Sequence, residues 1–454
     1  MAFQKLTATL ALDVSGGLPG PDVGAMGSPI PPAAADGATV IYATLTLLAD
    51  GRVLFTGGLD AAFNVRSECF ILDPVTGLIT PTGSLPAAGY AGTAARLPNG
   101  KVLYTGGGDA AFAITKNVFL FDPAKGTWST VAQMGTTRIS HTLTVLNNGK
   151  VLAAGGRTGG GANATSCELF TIAAGTWAAT GAMTHGRGMQ YACKLTDGTV
   201  LVVGGNSTGT VAIATCEIYS PGPGTWADTG ALNEPRASVF GAHYAATDAV
   251  LAAGGNDPLG VAKKSAEMYN FGTGLWTLVA SMNQPRETDA IKSIGTDVML
   301  ADGRPMAVDM PNASPTLIAP LSCETYDVTN DVWTQTTFHT PAYLGLPLVC
   351  PLANGNMLVM PATLNDGATL VPDTFQIGPG RHGEVKLAHG LEDFNGNGLT
   401  PTDLAMRWAT DPCDSARVVM GPADPTHVTV RFRDVINGAV GAARVWINHS
   451  EQEG

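Results

Sequence analysis

The chain has 454 residues, 45% hydrophobic and only 14% charged, so it can bury a large core and has little charge to solvate long helices. A net charge of −12 leaves no basic footprint for nucleic acid, and no run of 18 apolar residues is present to span a membrane. In chain order, the first element is the alternating run Leu6, Ala8, Leu10, Leu12 and Val14, which reads as a strand. It is a poor secretion signal: threonines interrupt it, Asp13 ends it, and no small-residue cleavage site follows. Residues 16–38 are rich in Gly, Pro and Ala and read as an extended arm, so the expected organisation starts with an N-terminal strand and arm over 1–37.

From residue 38 a unit of four short strands repeats. Gly-Gly pairs after an apolar run begin at Gly57, Gly106, Gly155, Gly204 and Gly254, at steps of 49 or 50 residues. Trp128, Trp177, Trp226 and Trp276 keep the same step, and Trp333 follows. In the third unit the predicted strands are Ser140–Leu146, Lys150–Gly156, Cys167–Ile172 and Gly175–Gly181, and Asn148-Gly149 supplies the hairpin turn between the first two. The second strand is apolar on both faces, as suits burial between neighbouring sheets. The aromatic positions (Phe121, Phe170, Tyr219, Tyr269, Tyr326) and the Trp positions are placed to pack between sheets. A sheet this small cannot hide both faces, whereas a ring of them can.

The order Met134, Arg138, His141-Thr142, Asn148-Gly149, Gly155-Gly156, Phe170 and Trp177 resembles the bacterial form of the kelch repeat family. The resemblance implies an all-β fold, a kelch-type β-propeller over residues 38–378. Seven blades are expected, with six as the alternative if the chain beyond about residue 340 belongs to the second domain. Unit seven lacks its Gly-Gly and Trp, so a strand from elsewhere must complete it. The candidates are Leu6–Val14 and Glu384–His389. Residues 379–454 read as a small antiparallel β-domain with strands at 416–420, 427–432 and 443–448 and a short helix around 402–409.

Several residue sets are candidates for function. Asp393, Asn395 and Asn397, with Gly398 at the sixth position, match the opening of a calcium loop. The acid expected at position 12 is Leu404, with Asp403 one place early, so a metal-free Gly/Asn turn is the competing reading for the Asp393, Asn395, Asn397 and Asp403 set. Arg138, Arg187, Arg236 and Arg286 share one repeat position, and Glu168, Glu217, Glu267 and Glu324 another. They form either a ring for an anionic ligand or a repeated structural contact, and the recurrence favours the contact. Cys69, Cys167, Cys216 and Cys323 alternate with Val118 and Ala266, which predicts small, buried, unpaired thiols. A galactose-oxidase-like copper enzyme also joins a kelch propeller to a C-terminal β-domain and needs two His and two Tyr on its metal. His141, His185, His243 and His339, with Tyr90, Tyr191, Tyr244 and Tyr343, are the available groups, but no residue-by-residue match emerges.

The leading expectation is therefore a non-enzymatic structural or binding protein with no cofactor beyond the calcium loop. It is expected outside the cell or on a bacteriophage virion as a tail, fibre or decoration component. The expected partners are other protein subunits or a cell-surface glycan or receptor, with no nucleic acid and no membrane insertion. The alternative is a secreted or surface carbohydrate-active protein, either a copper oxidase or a lectin.

Overall fold

In the computed structural model the described residues are 42–286 apart from 61–62, 75–78 and 208–210, then 299, 304–309, 322–337 and 348–353, and seven further strands at 23–26, 357–360, 374–377, 384–388, 405–407, 427–431 and 446–448. No helix occurs among them. The third unit folds into Thr142–Val145, Lys150–Ala154, Cys167–Thr171 and Thr176–Thr180, each antiparallel to the next in that order. Sheets of the same construction lie at 44–82, 93–130, 191–229 and 240–279. A sixth sheet has three described strands, Met306–Asp309, Ser322–Asp327 and Val332–Thr337. The seventh runs, from the inside, Leu348–Pro351, Met357–Met360, Thr374–Ile377 and Val23–Met26. The first strands of sheets 7, 1, 2, 3, 4 and 5 lie side by side in that sequence, as around the axis of a β-propeller.

The core lies between sheets. One cluster joins Leu152 and Cys167 of sheet 3 to Val200 and Tyr219 of sheet 4. Another joins Val53 and Phe55 of sheet 1 to Cys350 and Leu352 of sheet 7, so the two ends of the repeat array meet. The aromatic and Trp positions are direct cross-strand partners: Phe170 faces Trp177 with ring centroids 5.1 Å apart, and Tyr219–Trp226 and Tyr269–Trp276 repeat that spacing. Each buried ring contributes roughly 1.5–3 kcal/mol from area alone.

The Gly-Gly step and the Arg step have one cause. In four of the five pairs the second glycine donates its N–H to the carbonyl of the arginine that starts the next unit: Gly107 to Arg138, Gly156 to Arg187, Gly205 to Arg236 and Gly255 to Arg286, at 2.8–3.0 Å, while Gly58 donates to the Gly89 carbonyl at 2.9 Å. The first glycine takes a left-handed φ, +54° at Gly204, and a Cβ there would sit 2.3 Å from the Arg236 carbonyl oxygen. Only glycine allows that approach.

Two expectations are corrected. The strand that completes sheet 7 comes from the arm, Val23–Met26, which pairs antiparallel with Thr374–Ile377 from Val23↔Ile377 to Met26↔Thr374. Of the two expected closers, Leu6–Val14 lies outside the described residues, and Glu384–Ala388 pairs instead with His427–Arg431. An outermost strand needs a backbone ladder on one side only, so a short Val-Gly-Ala-Met segment suffices where hydrophobic alternation pointed to a longer run. Around 402–409 the structure has a strand, Ala405–Arg407, paired with Trp446–Asn448. A long-range ladder overrides the local helix preference of Leu-Ala-Met-Arg. The strands expected at 427–432 and 443–448 are present as His427–Arg431 and Trp446–Asn448, and 416–420 lies outside the described residues.

Because each sheet is antiparallel and begins at the axis, the loop after its second strand and the connection to the next sheet emerge at one end, here termed the loop face. The Asn-Gly turns emerge at the other, the turn face.

Candidate functional site

The arginine ring is consumed within the fold. All four side chains are fully buried. Arg187 donates from Nη1 to the carbonyls of Gly204 and Thr215 at 2.8 and 2.6 Å, and from Nη2 to Thr215 Oγ1 at 3.0 Å and Glu217 Oε1 at 2.7 Å. Arg138 and Arg236 repeat the pattern on Glu168 and Glu267, and Arg286 Nε donates to Glu324 Oε1 at 2.9 Å. Each glutamate also accepts backbone N–H groups from the connection that carries its arginine, such as Thr184 and His185 on Glu217. The pair thus pins each connection onto the sheet that follows it, and none of these four guanidinium groups faces solvent as an anion receptor.

The described residues considered for copper lie in different surroundings. His141 is fully buried on the loop-face side, with Nε2 2.8 Å from Thr105 Oγ1; burial, with the charge of Arg138 adding, pushes its pKa down to about 3. His243 and Tyr244 end the first strand of sheet 5 at the turn face, where His243 Nε2 lies 2.6 Å from Asp248 Oδ1. Burial raises the Tyr244 hydroxyl well above its ordinary value. Tyr191 is buried in the core cluster that spans sheets 4 and 5. His185 stands on the connection into sheet 4, beside Glu217 and Asp228. His339 and Tyr343 lie outside the described residues, as do Asp393, Asn395, Asn397 and Asp403. Cys69, Cys167 and Cys216 are buried and unpaired, as expected, with burial pushing each thiol up to about 11. Asn163 and Asn206 each begin an Asn-X-Thr triplet, but Asn206 is buried and the Asn163 amide donates to the carbonyls of Asn206 and Ser207, so neither is presented as a glycan acceptor.

The loop face presents exposed apolar side chains at four of its tips. The tips after the second strands carry Phe63, Phe112, Val211, Leu259 and Val261, and Leu259 is 87% exposed. Two of these tips are turns closed by an aspartate. Asp109 Oδ1 accepts the N–H groups of Ala111 and Ala113 at 2.9 and 3.0 Å, and the Phe112 N–H donates to the Asp109 carbonyl at 2.9 Å. Asp257 Oδ1 likewise accepts from Leu259 and Val261 at 2.8 and 2.9 Å, and the Val261 N–H holds its carboxyl below the usual range. The fourth residue of the turn needs a left-handed φ. Units three and five use Gly161 (+82°) and Gly260 (+79°), but units one and two place Phe63 (+62°) and Phe112 (+59°) there. A bulky side chain in that region costs about 1–2 kcal/mol. Phe112 packs on Tyr90 at 5.6 Å, and Tyr90 on Tyr42 at 6.4 Å, which makes an aromatic cluster over units one and two. Burial, and next the Asp109 charge, raise the Tyr90 pKa. The repeated signal Asp60-Ala-Ala-Phe63 and Asp109-Ala-Ala-Phe112, one repeat apart, was present in the sequence and is the site that reading for polar chemistry misses.

No protein-family profile matches the chain, and no curated protein matches it in sequence. Solved structures do resemble it. A fungal alcohol oxidase of the AA5 family, in complex with copper, superposes with a TM-score of 0.59 at 15% identity over 87% of this chain and 90% of that one. YjhT superposes with a TM-score of 0.44 at 15% identity over 53% of this chain and 84% of that one. At these identities the likeness to the oxidase is one of fold, and it agrees with the propeller.

Proposed function

We propose that the chain is a non-enzymatic binding protein of kelch type whose loop face docks a protein partner within a larger assembly. The virion component expected from the sequence is one such setting. The observation that supports this most is the pair of exposed phenylalanines, Phe63 and Phe112, in left-handed backbone where units three and five carry glycine. Phe112 rests partly on Tyr90, but both phenylalanines stay about half exposed at 52% and 53%, and strain kept for a ring left that open fits a side chain held for contact. The buried arginines and His141 have structural partners, which leaves the loop tips as the variable surface of the ring.

The test compares the full chain with a variant carrying Phe63→Gly, Phe112→Gly and Leu259→Ser. Cross-linking and co-purification of the native protein should recover an assembly or partner that the variant loses, with the variant at least as heat-stable as the parent. Undiminished capture by the variant would refute the loop-face assignment. The competing reading, a copper oxidase, takes its support from the structural likeness to the AA5 enzyme. Stoichiometric copper in the purified protein, with peroxide released from primary alcohols, would establish it and overturn the binding reading.

A further inference from the structure

Unit four departs from the others at two positions that meet in space. In the ladder between third and fourth strands, the repeat glutamate faces Ala179 in unit three, Leu278 in unit five and Gln335 in unit six, but in unit four Glu217 faces Asp228. Two carboxylates directly opposite each other repel. The second departure is His185, at the position of Thr136, Glu234 and Gln284. Its Nδ1 is shielded from solvent, makes no hydrogen bond, and lies 3.5 Å from Glu217 Oε1 and 3.8 Å from Asp228 Oδ1. One ligand atom from each of the three residues can be chosen so that all lie within 4.8 Å of one another.

The acceptor count of the buried glutamate separates this unit from its neighbours. A carboxylate offers about four lone-pair directions. In unit five, Glu267 receives four donors: the N–H and side-chain amide of Asn233, the N–H of Glu234, and Arg236. Glu324 in unit six is filled the same way by Asn283, Gln284 and Arg286. In unit four Thr184 replaces the asparagine, and Glu217 receives three: the N–H groups of Thr184 and His185, and Arg187. Glu217 is fully buried, so the open direction is not supplied by bulk water. Unit three is open too, but there Thr136 and Ala179 stand where unit four has His185 and Asp228.

We propose that His185, Asp228 and Glu217 form a binding site for a zinc-class divalent cation on the outer part of unit four. The ligands are His185 Nδ1, an Asp228 carboxylate oxygen and Glu217 Oε2, which accepts only from the Thr184 N–H, with water completing the shell. A tetrahedral ion with bonds of about 2.0–2.2 Å sets its ligand atoms about 3.3–3.6 Å apart. Nδ1 lies 3.5 Å from Glu217 Oε1, which already accepts from the His185 N–H and Arg187, so ligation falls to Oε2 of the same carboxylate, and the Nδ1 to Asp228 distance of 3.8 Å needs only a small movement of an exposed side chain. The cation also removes the repulsion between the facing carboxylates.

The experiment is isothermal titration of the metal-stripped full chain with zinc sulfate at neutral pH. One equivalent should bind, and His185→Ala and Asp228→Ala should each weaken it at least tenfold. Thr184→Asn is the sharper variant: it copies Asn233 and Asn283, supplies the fourth donor to Glu217, and should abolish binding while the apo protein melts as the parent does. The proposal is overturned by absence of binding at millimolar zinc, by binding that His185→Ala and Asp228→Ala leave unchanged, or by a fully folded Thr184→Asn variant that binds as tightly as the parent.

Discussion

Replacing Arg187 by methionine should open sheet 4. The guanidinium makes four hydrogen bonds of 2.6–3.0 Å, one of them to the fully buried Glu217. Methionine fills similar volume but leaves Glu217 as a buried anion held only by the N–H groups of Thr184 and His185, and leaves the Gly204 and Thr215 carbonyls without the side-chain donor. Breaking a buried pair in this way costs about 3–5 kcal/mol. At about 1.4 kcal/mol per decade that is a rise of roughly two to three and a half decades in the opening equilibrium. Hydrogen–deuterium exchange read by mass spectrometry over residues 191–229 measures it locally, without assuming that the whole ring unfolds in one step. The control is Arg52→Ala. Arg52 Nη2 also lies 2.7 Å from a carboxylate, that of Asp50, but the two side chains are 39% and 48% exposed. Solvent screening holds that pair to about 0–1 kcal/mol. An Arg187→Met variant whose exchange rises less than about fivefold, or an Arg52→Ala variant that matches it, would refute the assignment of the repeat arginine to structure.

Three further outcomes follow from the same geometry. His141 takes up a proton near pH 6.5 when unfolded but only near 3 when folded, so the unfolded state binds more protons in that window and stability falls by up to about 1.4 kcal/mol per pH unit as pH drops through it. His141→Gln copies Gln190, whose Nε2 donates to the Ala154 carbonyl at 2.8 Å, and should flatten the acid limb of a denaturation series; an unchanged limb would refute the role of His141. Gly204→Ala should cost well over 2 kcal/mol, because its Cβ would lie 2.3 Å from the Arg236 carbonyl. Gly149→Ala, at φ +76° with nothing within 4 Å, should cost only about 1 kcal/mol, and equal melting of the two variants would contradict the contact. Cys69, Cys167, Cys193, Cys216 and Cys350 are buried, so a thiol reagent at pH 8 should reach them only after urea is added, and their modification in the native protein would count against the packing.

The repeat was legible because each of its fixed residues solves a local problem that recurs in every unit. Asn148-Gly149 makes a hairpin, Phe170 faces Trp177, and Gly155-Gly156 admits the backbone of Arg187. The pairing of the arginine with the glutamate was also anticipated, since both residue types kept the same step. The closing strand was not legible, because Val23–Met26 gains its order from a partner some 350 residues away and carries no pattern of its own. The helix expected at 402–409 failed for the same reason. The loop-face aromatics went unread because a search for acids, histidines and thiols passes over a phenylalanine in a turn.

That contrast bears on where function resides in a ring of repeats. A residue that recurs from unit to unit recurs because it stitches one sheet to the next, and Arg138, Arg187, Arg236 and Arg286 are occupied by that task. Residues that break the pattern have no such duty. Phe63 and Phe112 replace a glycine that the backbone prefers, and Asp228 replaces a neutral residue opposite a buried acid. Both exchanges are unfavourable for folding alone, the first through backbone strain and the second through like-charge repulsion. A locally unfavourable residue at an exposed position is the pattern expected when binding compensates what folding loses. The two departures lie in different units and call on different chemistry, apolar contact for the phenylalanines and cation ligation for Asp228. The loop-tip and Thr184→Asn variants can therefore fail or succeed independently of each other.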